Sequence, residues 1–330
     1  MDGEITFPHV SIIVATLNSE ATIDGCLRSI LALDYPKHLL EVIVIDGGSE
    51  DSTIDQVKAH PVKLISKRLN VPSAYNFVLK TAKGEIIGFI DSDVRIERQW
   101  LRKLSSYLAN PEIAGASGNI ATWNKSKLVP RCIGYELSFR YRRLPKDVGR
   151  VATMNLILRK AVIEEVGGFD ESLSTQYDTD LVTRITRSGY RVIFDSDVYC
   201  YHFHRPTLRK YFGQQFRYGQ NTWKLYSKHP DLIRGDNITG WWMNIQPVLY
   251  AVGATSVLVS AIANFNPVGL WIFLSLALLT TLHYTFSAAR IARAFRDPSA
   301  MFLIVIYFIR AVAWTLGGAT SFLRSILTRG

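Results

Sequence analysis

Hydrophobic positions along the chain change character partway. In the first third they come as short unbroken runs, 10–15 (VSIIVA), 41–45 (EVIVI), 62–65 (VKLI) and 85–90 (EIIGFI), each followed by a polar turn. Short apolar runs of this kind predict strands buried on both faces. Between them the apolar residues recur at helical spacing: Ile23, Leu27, Ile30 and Leu31, then Ala74, Phe77, Val78 and Thr81, then Trp100, Leu101, Leu104 and Leu108. Strand and helix in alternation predict an α/β layer, a mostly parallel sheet with helices on its faces. Beyond Gly240 the pattern is apolar almost throughout, and 241–264, 267–286 and 300–323 each reach the ~20 residues that a bilayer core requires. The expected organisation is therefore an α/β domain over 1–232 and a transmembrane helical domain over 233–330. Two basic, aromatic-rich helices, around 125–146 and 207–227, are expected to lie on the membrane interface.

Composition sharpens this picture in two places. The net charge of +10 fits an anionic partner. Lys125, Lys127, Arg131, Arg140, Arg142 and Arg143 stand among aromatics; such a mixture also suits nucleic acid, but beside three apolar spans it favours lipid headgroups and no nucleic acid. The three cysteines, Cys26, Cys132 and Cys200, lie far apart without a CxxC pair, which speaks against a disulfide framework. The first residues, MDGEITFPHV, carry no apolar core of a leader. Arg290, Arg293 and Arg296 between the second and third spans put that loop and the α/β domain in the cytoplasm by the positive-inside rule, at a multi-pass cell membrane. Odd parity sends the C-terminus outside, with Arg324 and Arg329 pulling the other way.

In open parallel sheets ligands bind beyond the carboxyl ends of the strands. Thr16 and Asn18 follow the first run, Asp46 ends the second, and Asp91-Ser92-Asp93 ends the fourth, so three polar clusters fall on one rim. Read as extended backbone, alternate residues put the Asp91 and Asp93 carboxylates on one side, where Mg²⁺ or Mn²⁺ held together with a diphosphate relieves their repulsion. His202 and His204 offer one further ligand, His204 being the candidate. Arg310, in the middle of the third span, is expected to face protein or water, and is a candidate contact for a lipid phosphate.

Five stretches in this order, VSIIVATLNSEATI, EVIVIDGGSEDST, NVPSAYNFVLKTAKGEIIGFIDSDV, VGGFDESLSTQYDTDL and QQFRYG, resemble family 2 glycosyltransferases of the GT-A fold over about residues 8–226. The resemblance implies an inverting enzyme that uses a nucleotide-diphosphate sugar and a divalent metal. It implies that Thr16, Asn18 and Glu20 line the nucleoside site, that Asp46 meets base or ribose, that Asn76 lies near the nucleotide, and that Asp91 and Asp93 touch ribose and metal-bound diphosphate. Asp178 takes the place of the family's catalytic aspartate, with Asp180 in reserve, and Asn155 falls where the family lines the sugar pocket. QQFRYG resembles the Q-x-x-R-W motif, placing Gln214, Arg217 and Tyr218 on one side of a helix. This sequence has Asp-Gly-Gly-Ser where many members have Asp-Asp-Gly-Ser, Tyr177 in place of a glutamate, and Tyr218 in place of a tryptophan.

The expected reaction moves a sugar, from a UDP-sugar by preference, to a hydroxyl of a polyprenyl-linked saccharide or growing cell-surface glycan. Transfer to polyprenyl phosphate itself is the alternative within the class, and a catalytically inactive membrane scaffold the alternative outside it. A sugar nucleotidyltransferase would carry a Gly-rich, Arg-containing loop after the first strand, which ATLNSEAT lacks.

Overall fold

In a computed structural model of the chain, residues 7–263 and 267–327 are described. The N-terminal six residues, the expected end of the first span at Asn264, and Arg329 lie outside them. The chain divides into two compact units: one of residues up to Trp123 with Tyr141–Phe203, the other of Asn124–Arg140 with residues from His204 onward. This differs from the boundary expected at residue 232, because both basic helices belong with the apolar C-terminal helices.

The first unit is built on one eight-stranded sheet. Its strands are β1 (Val10–Thr16), β2 (Leu40–Asp46), β3 (Lys63–Ser66), β4 (Ile86–Phe89), β5 (Val94–Ile96), β6 (Ile113–Thr122), β7 (Leu156–Arg159) and β8 (Arg191–His202). They lie in the order β3-β2-β1-β4-β7-β6-β8-β5. The four apolar runs read from the sequence become β1 to β4, paired in parallel, and the register puts Thr16 beside Asp46 and Ile13 beside Phe89. Parallel pairing aims the carboxyl ends of these strands at one rim. The rest of the sheet is mixed: β7 runs antiparallel to β4 and β6, β8 parallel to β6, and β5 antiparallel to β8.

The helices of this unit are α1 (Ile23–Leu31), α2 (Thr53–Lys58), α3 (Val71–Leu79) and α4 (Trp100–Tyr107). The second unit contributes α5 (Leu128–Tyr141, belonging to it through Arg140), after which come α6 (Lys160–Glu165) and α7 (Tyr177–Arg187) of the first. Ile23, Cys26, Leu27 and Ile30 are the buried stripe of α1, as their spacing requires. Asn70 caps α3, its side-chain oxygen accepting from Ser73 N at 3.0 Å, and Pro72 occupies the first turn, where no amide is missed.

The remaining helices of the second unit are α8 (Leu208–Lys228), α9 (Trp241–Ile262), α10 (Val268–Phe295) and α11 (Leu303–Leu327). The segments Trp241–Ile262, Val268–Phe295 and Pro298–Arg324 are long and apolar enough to cross a membrane. Leu258, Leu278, Leu282 and Phe286 are more than half exposed, as side chains facing lipid would be. A core of Cys132, Tyr211, Tyr284, Ile291, Leu303 and Ile306 ties α5 and α8 to α10 and α11. The backbones of α8 and α11 come into close contact at two glycines: a Cβ on Gly219 would meet Trp314 O at 2.6 Å, and one on Gly317 would collide with Phe216 O. Small residues at such a crossing are what lets two helices approach without a groove of side chains between them.

Candidate active site

The rim of the first unit is knitted by its own polar side chains. Asp46 is fully buried. Its Oδ2 accepts from the amides of Gly48 and Ser49 at 2.8 and 2.9 Å, and its Oδ1 from Ser49 Oγ at 2.5 Å. The carboxylate therefore shapes the turn after β2. Gly48, at φ +100°, takes the left-handed conformation this turn needs. Asn18, itself at φ 49°, receives the Glu50 amide on Oδ1 at 2.9 Å and donates its own amide to Ser49 Oγ at 2.8 Å. Glu20 Oε2 accepts from Ser52 Oγ at 3.0 Å. The loops after β1 and β2 thus form one clasped edge. Thr16 Oγ1, at the end of β1, is buried with no hydrogen-bond partner among the described residues, which leaves a hydroxyl available where the strand meets the rim.

Asp91 and Asp93 are not on an extended strand. The Val94 amide donates to Asp91 O at 3.0 Å, so Asp91–Val94 is a tight turn between β4 and β5. Ser92, the residue between them, shares a hydrogen bond of 2.8 Å with Ser19, which pins this turn to the loop after β1. The expected alternation of an extended backbone is replaced by a turn whose apex is tethered. His202 faces Asp93, Nε2 to Oδ1 at 3.4 Å, because β5 and β8 pair Val94 with His202. His204 belongs to the second unit, where its backbone is bracketed by the Asn124 side chain. Of the two histidines, His202 is the one the sheet brings to this aspartate pair. Among the described residues no group of three His, Cys, Asp or Glu side chains could hold a metal ion by itself. The donor set, two half-buried carboxylates, is nevertheless the hard-oxygen type that Mg²⁺ and Mn²⁺ accept when substrate phosphates complete the shell. Burial and then the negative charges of this pair push up the thiols of Cys26 and Cys200.

An aromatic cluster supports the turn from below. Tyr75 from α3, Phe89 from β4, Phe169, and Tyr177 from α7 contact one another edge-on or tilted, with ring centroids 4.9 to 6.1 Å apart. The Tyr75 phenol is pushed far up by burial, then by the charge of Asp91, and also by that of Asp178. Two carboxylates from different elements therefore act on one buried ring. Asp178 sits in the first turn of α7, entered through Gln176 at φ 67°. Its Oδ1 accepts from the Thr179 amide at 2.8 Å, while Oδ2 accepts nothing among the described residues. Burial raises its carboxyl above the usual aspartate range; Arg150, which also donates to Gln176 Oε1 at 3.2 Å, pulls the other way. Sequence reading missed both Tyr75 and Arg150, although Tyr75 lies next to Asn76 in a quoted motif.

Four expected site residues turn out to brace the scaffold. Asp180 is buried and bound by Arg184, whose Nε and Nη2 reach Oδ2 at 2.9 and 2.7 Å; Nη1 and Nη2 also donate to Val166 O and Gly168 O at 2.5 and 2.7 Å. A carboxylate so held staples α7 to the preceding turn. Asn76 exchanges both amide groups with Phe169, at 2.8 and 2.9 Å, and donates to Glu171 Oε1, so it fixes the Gly168–Glu171 turn. Asn155 is fully buried, accepting from Trp100 Nε1 at 2.5 Å and donating to Asn119 O at 3.1 Å. Arg310 forms a buried ion pair with Glu136, Nη1 to Oε1 at 2.5 Å, and stacks on Tyr307 at 4.9 Å, which meets its charge with protein. Of the α8 residues, Arg217 is exposed, and Gln214 and Tyr218 are half-buried. Their neighbour Gln215 is buried and accepts from Trp314 Nε1 at 2.8 Å.

Residues 11–167 match the family model described as glycosyl transferase family 2. Glycosyltransferase AglE of Haloferax volcanii is 28% identical over 227 residues, 65% of this chain and 73% of that protein. A Methanococcus voltae protein named dolichyl N-acetyl-alpha-D-glucosaminyl phosphate 3-beta-D-2,3-diacetamido-2,3-dideoxy-beta-D-glucuronosyltransferase is 23% identical over 231 residues, 64% of this chain and 71% of that one. The chain spans about half the length of several other curated relatives, 57%, 49% and 54% in three cases. Among solved structures, a mannosyltransferase of Pyrobaculum calidifontis in complex with GDP-Man and Mn²⁺ superposes with a TM-score of 0.62 at 21% identity, covering 96% of this chain and 88% of that one. That likeness is one of fold.

Proposed function

We propose, from the family 2 glycosyltransferase match of residues 11–167 and the curated relatives, that the chain is a family 2 glycosyltransferase carrying out an inverting transfer from a nucleoside-diphosphate sugar, with uridine as the nucleoside, to a lipid-linked acceptor hydroxyl. The Methanococcus voltae relative, named for a dolichyl phosphate-linked sugar, and the three apolar helices support a polyprenyl-linked saccharide as acceptor. In the proposed orientation the catalytic unit faces the cytoplasm.

Asp178 is the general base. It would take the acceptor hydroxyl's proton as the oxygen attacks the anomeric carbon, and its raised carboxyl makes it a stronger base than an ordinary aspartate. Arg150 steadies the carboxylate, and the Thr179 amide holds one oxygen so that the other is presented. Asp91 and Asp93 would hold a divalent cation, which when bound neutralises charge developing on the departing diphosphate. The clasped loops carrying Thr16, Asn18 and Glu20 form the nucleoside edge, with Asp46 shaping the turn behind them. The single observation that carries this reading is the packing of Tyr75 on both Phe89 and Tyr177, which gathers the strand leading to Asp91 and the helix start carrying Asp178 around one buried ring.

The test is a panel of labelled nucleotide sugars given to membranes containing the protein with Mg²⁺ or Mn²⁺, followed by organic extraction. We expect label from a UDP-sugar in the lipid fraction, lost in both Asp91→Asn and Asp178→Asn. Transfer surviving Asp178→Asn but not Asp91→Asn would instead point to an acceptor already ionised, a polyprenyl phosphate. Transfer indifferent to both substitutions contradicts the reading.

A further inference from the structure

A cavity of about 170 Å³ lies within the second unit, among α5, α9, α10 and α11, lined by Glu136, Arg140, Trp242, His283, Arg290 and Arg310 with apolar neighbours. Three guanidiniums there meet a single carboxylate. Glu136 is committed to Arg310, and although burial opposes it, Arg310 and then Arg140 hold its carboxyl below the ordinary range. That leaves the positive charges of Arg140 and Arg290 in excess. Arg140 reaches Ile238 O at 3.2 Å and its buried Nε stands 3.9 Å from Glu136, without a hydrogen-bond partner among the described residues. The indole Nε1 of Trp242, on the cavity wall, is buried and unsatisfied as well. Two buried donors without acceptors, in a chamber with surplus positive charge, describe a site for an anion.

The mouth of the chamber indicates what kind of anion. Arg290 is exposed and makes no ion pair among the described residues; its guanidinium lies over the rings of Phe139 and Phe286 at 5.7 and 5.6 Å. From Arg290 back along α10, Phe286, Leu282 and Leu278 follow at four-residue intervals on nearly one face, 63%, 60% and 61% exposed. An apolar stripe about 18 Å long thus leads from the cation into the most apolar part of the helix. We propose that the cavity binds the headgroup of a net-anionic membrane phospholipid, its phosphate accepting from Arg140, Arg290 and Trp242 while its acyl chain lies along Phe286, Leu282 and Leu278. A free inorganic phosphate would use the same donors but not the stripe. The inference depends on the membrane reading of α10 and not on the transfer reaction, so the two fail separately.

The full-length protein in neutral detergent would be titrated with phosphatidylglycerol or phosphatidylcholine and its retained lipid read by native mass spectrometry. We expect phosphatidylglycerol to be held about tenfold more tightly, the scale of a charge-assisted contact. Arg290→Gln, and Trp242→Phe, which keeps an aromatic ring and deletes only the donor, should each weaken retention several-fold. Arg293→Gln, on the same basic helix end but outside the cavity, should leave it unchanged. Equal retention of the two lipids, or an equal loss in Arg293→Gln, overturns the proposal. Displacement by millimolar inorganic phosphate assigns the cavity to free phosphate, and displacement by stoichiometric polyprenyl phosphate assigns it to the acceptor; either result also overturns it.

Discussion

Glu136, buried in the helical unit, and Asp178, half-buried in the sheet unit, are carboxylates treated in opposite ways. Glu136, in the helical unit, is neutralised by Arg310 at 2.5 Å and its carboxyl is held low. Asp178, in the sheet unit, has one backbone amide on one oxygen and its carboxyl is held high. The same contrast recurs over two residues of α7, where Asp180 is gripped by Arg184 and Asp178 is not. A carboxylate given a guanidinium is a fastener, because removing either partner leaves a buried charge. One desolvated without such a fastener retains affinity for a proton, as a base requires.

The sharpest way to break this comparison is Arg310→Leu, which leaves Glu136 buried with only Arg140 at 3.9 Å to meet its charge. The expected loss is about 3–5 kcal/mol of stability, seen as a lower melting temperature, while Glu136→Leu with Arg310→Met together should recover most of it. A single variant as stable as wild type would mean that the pair is not a fastener. A smaller effect is expected from Asn76→Ala, which deletes the hydrogen bonds holding the Gly168–Glu171 turn. It should cost about 1–3 kcal/mol and leave the donor KM unchanged. A raised KM at an unchanged melting temperature would return Asn76 to the nucleotide site.

The parallel half of the sheet was legible in the sequence because β1 to β4 are short apolar runs that belong to no helix. The other half was not. β6 reads IAGASGNIAT, small residues packed on both faces, with no run or alternation to mark a strand. β7 is four residues long, and β8 carries Asp195-Ser196-Asp197 where its register with β6 shifts. The rim was legible as a set of polar clusters at strand ends, but not the direction in which each side chain points. Asp46, Asn76, Asn155 and Asp180 have the polarity of site residues; Asp46 and Asp180 are held by their own turn and helix, Asn76 and Asn155 by partners distant in sequence that only the tertiary fold supplies. Arg150 gave no signal at all: it acts through Gln176 and Asp178, about 26 and 28 positions away along the chain.

The most direct measurement compares Asp178→Asn with Asp180→Asn for turnover and melting temperature. Because burial raises the Asp178 carboxyl above the unfolded value of about 3.9, the folded state binds that proton more tightly. The contribution to stability is present at low pH and is lost as pH rises through the raised value, so at neutral pH the charged carboxylate works against folding. Asp178→Asn should therefore lower turnover about 10²–10⁴-fold, remove the acid limb of the pH–rate profile, and melt no lower than wild type, or slightly higher. Asp180→Asn should retain that acid limb and melt lower. An Asp178→Asn enzyme that turns over normally, with activity lost instead in a stably folded Asp180→Asn, would contradict the assignment of the base.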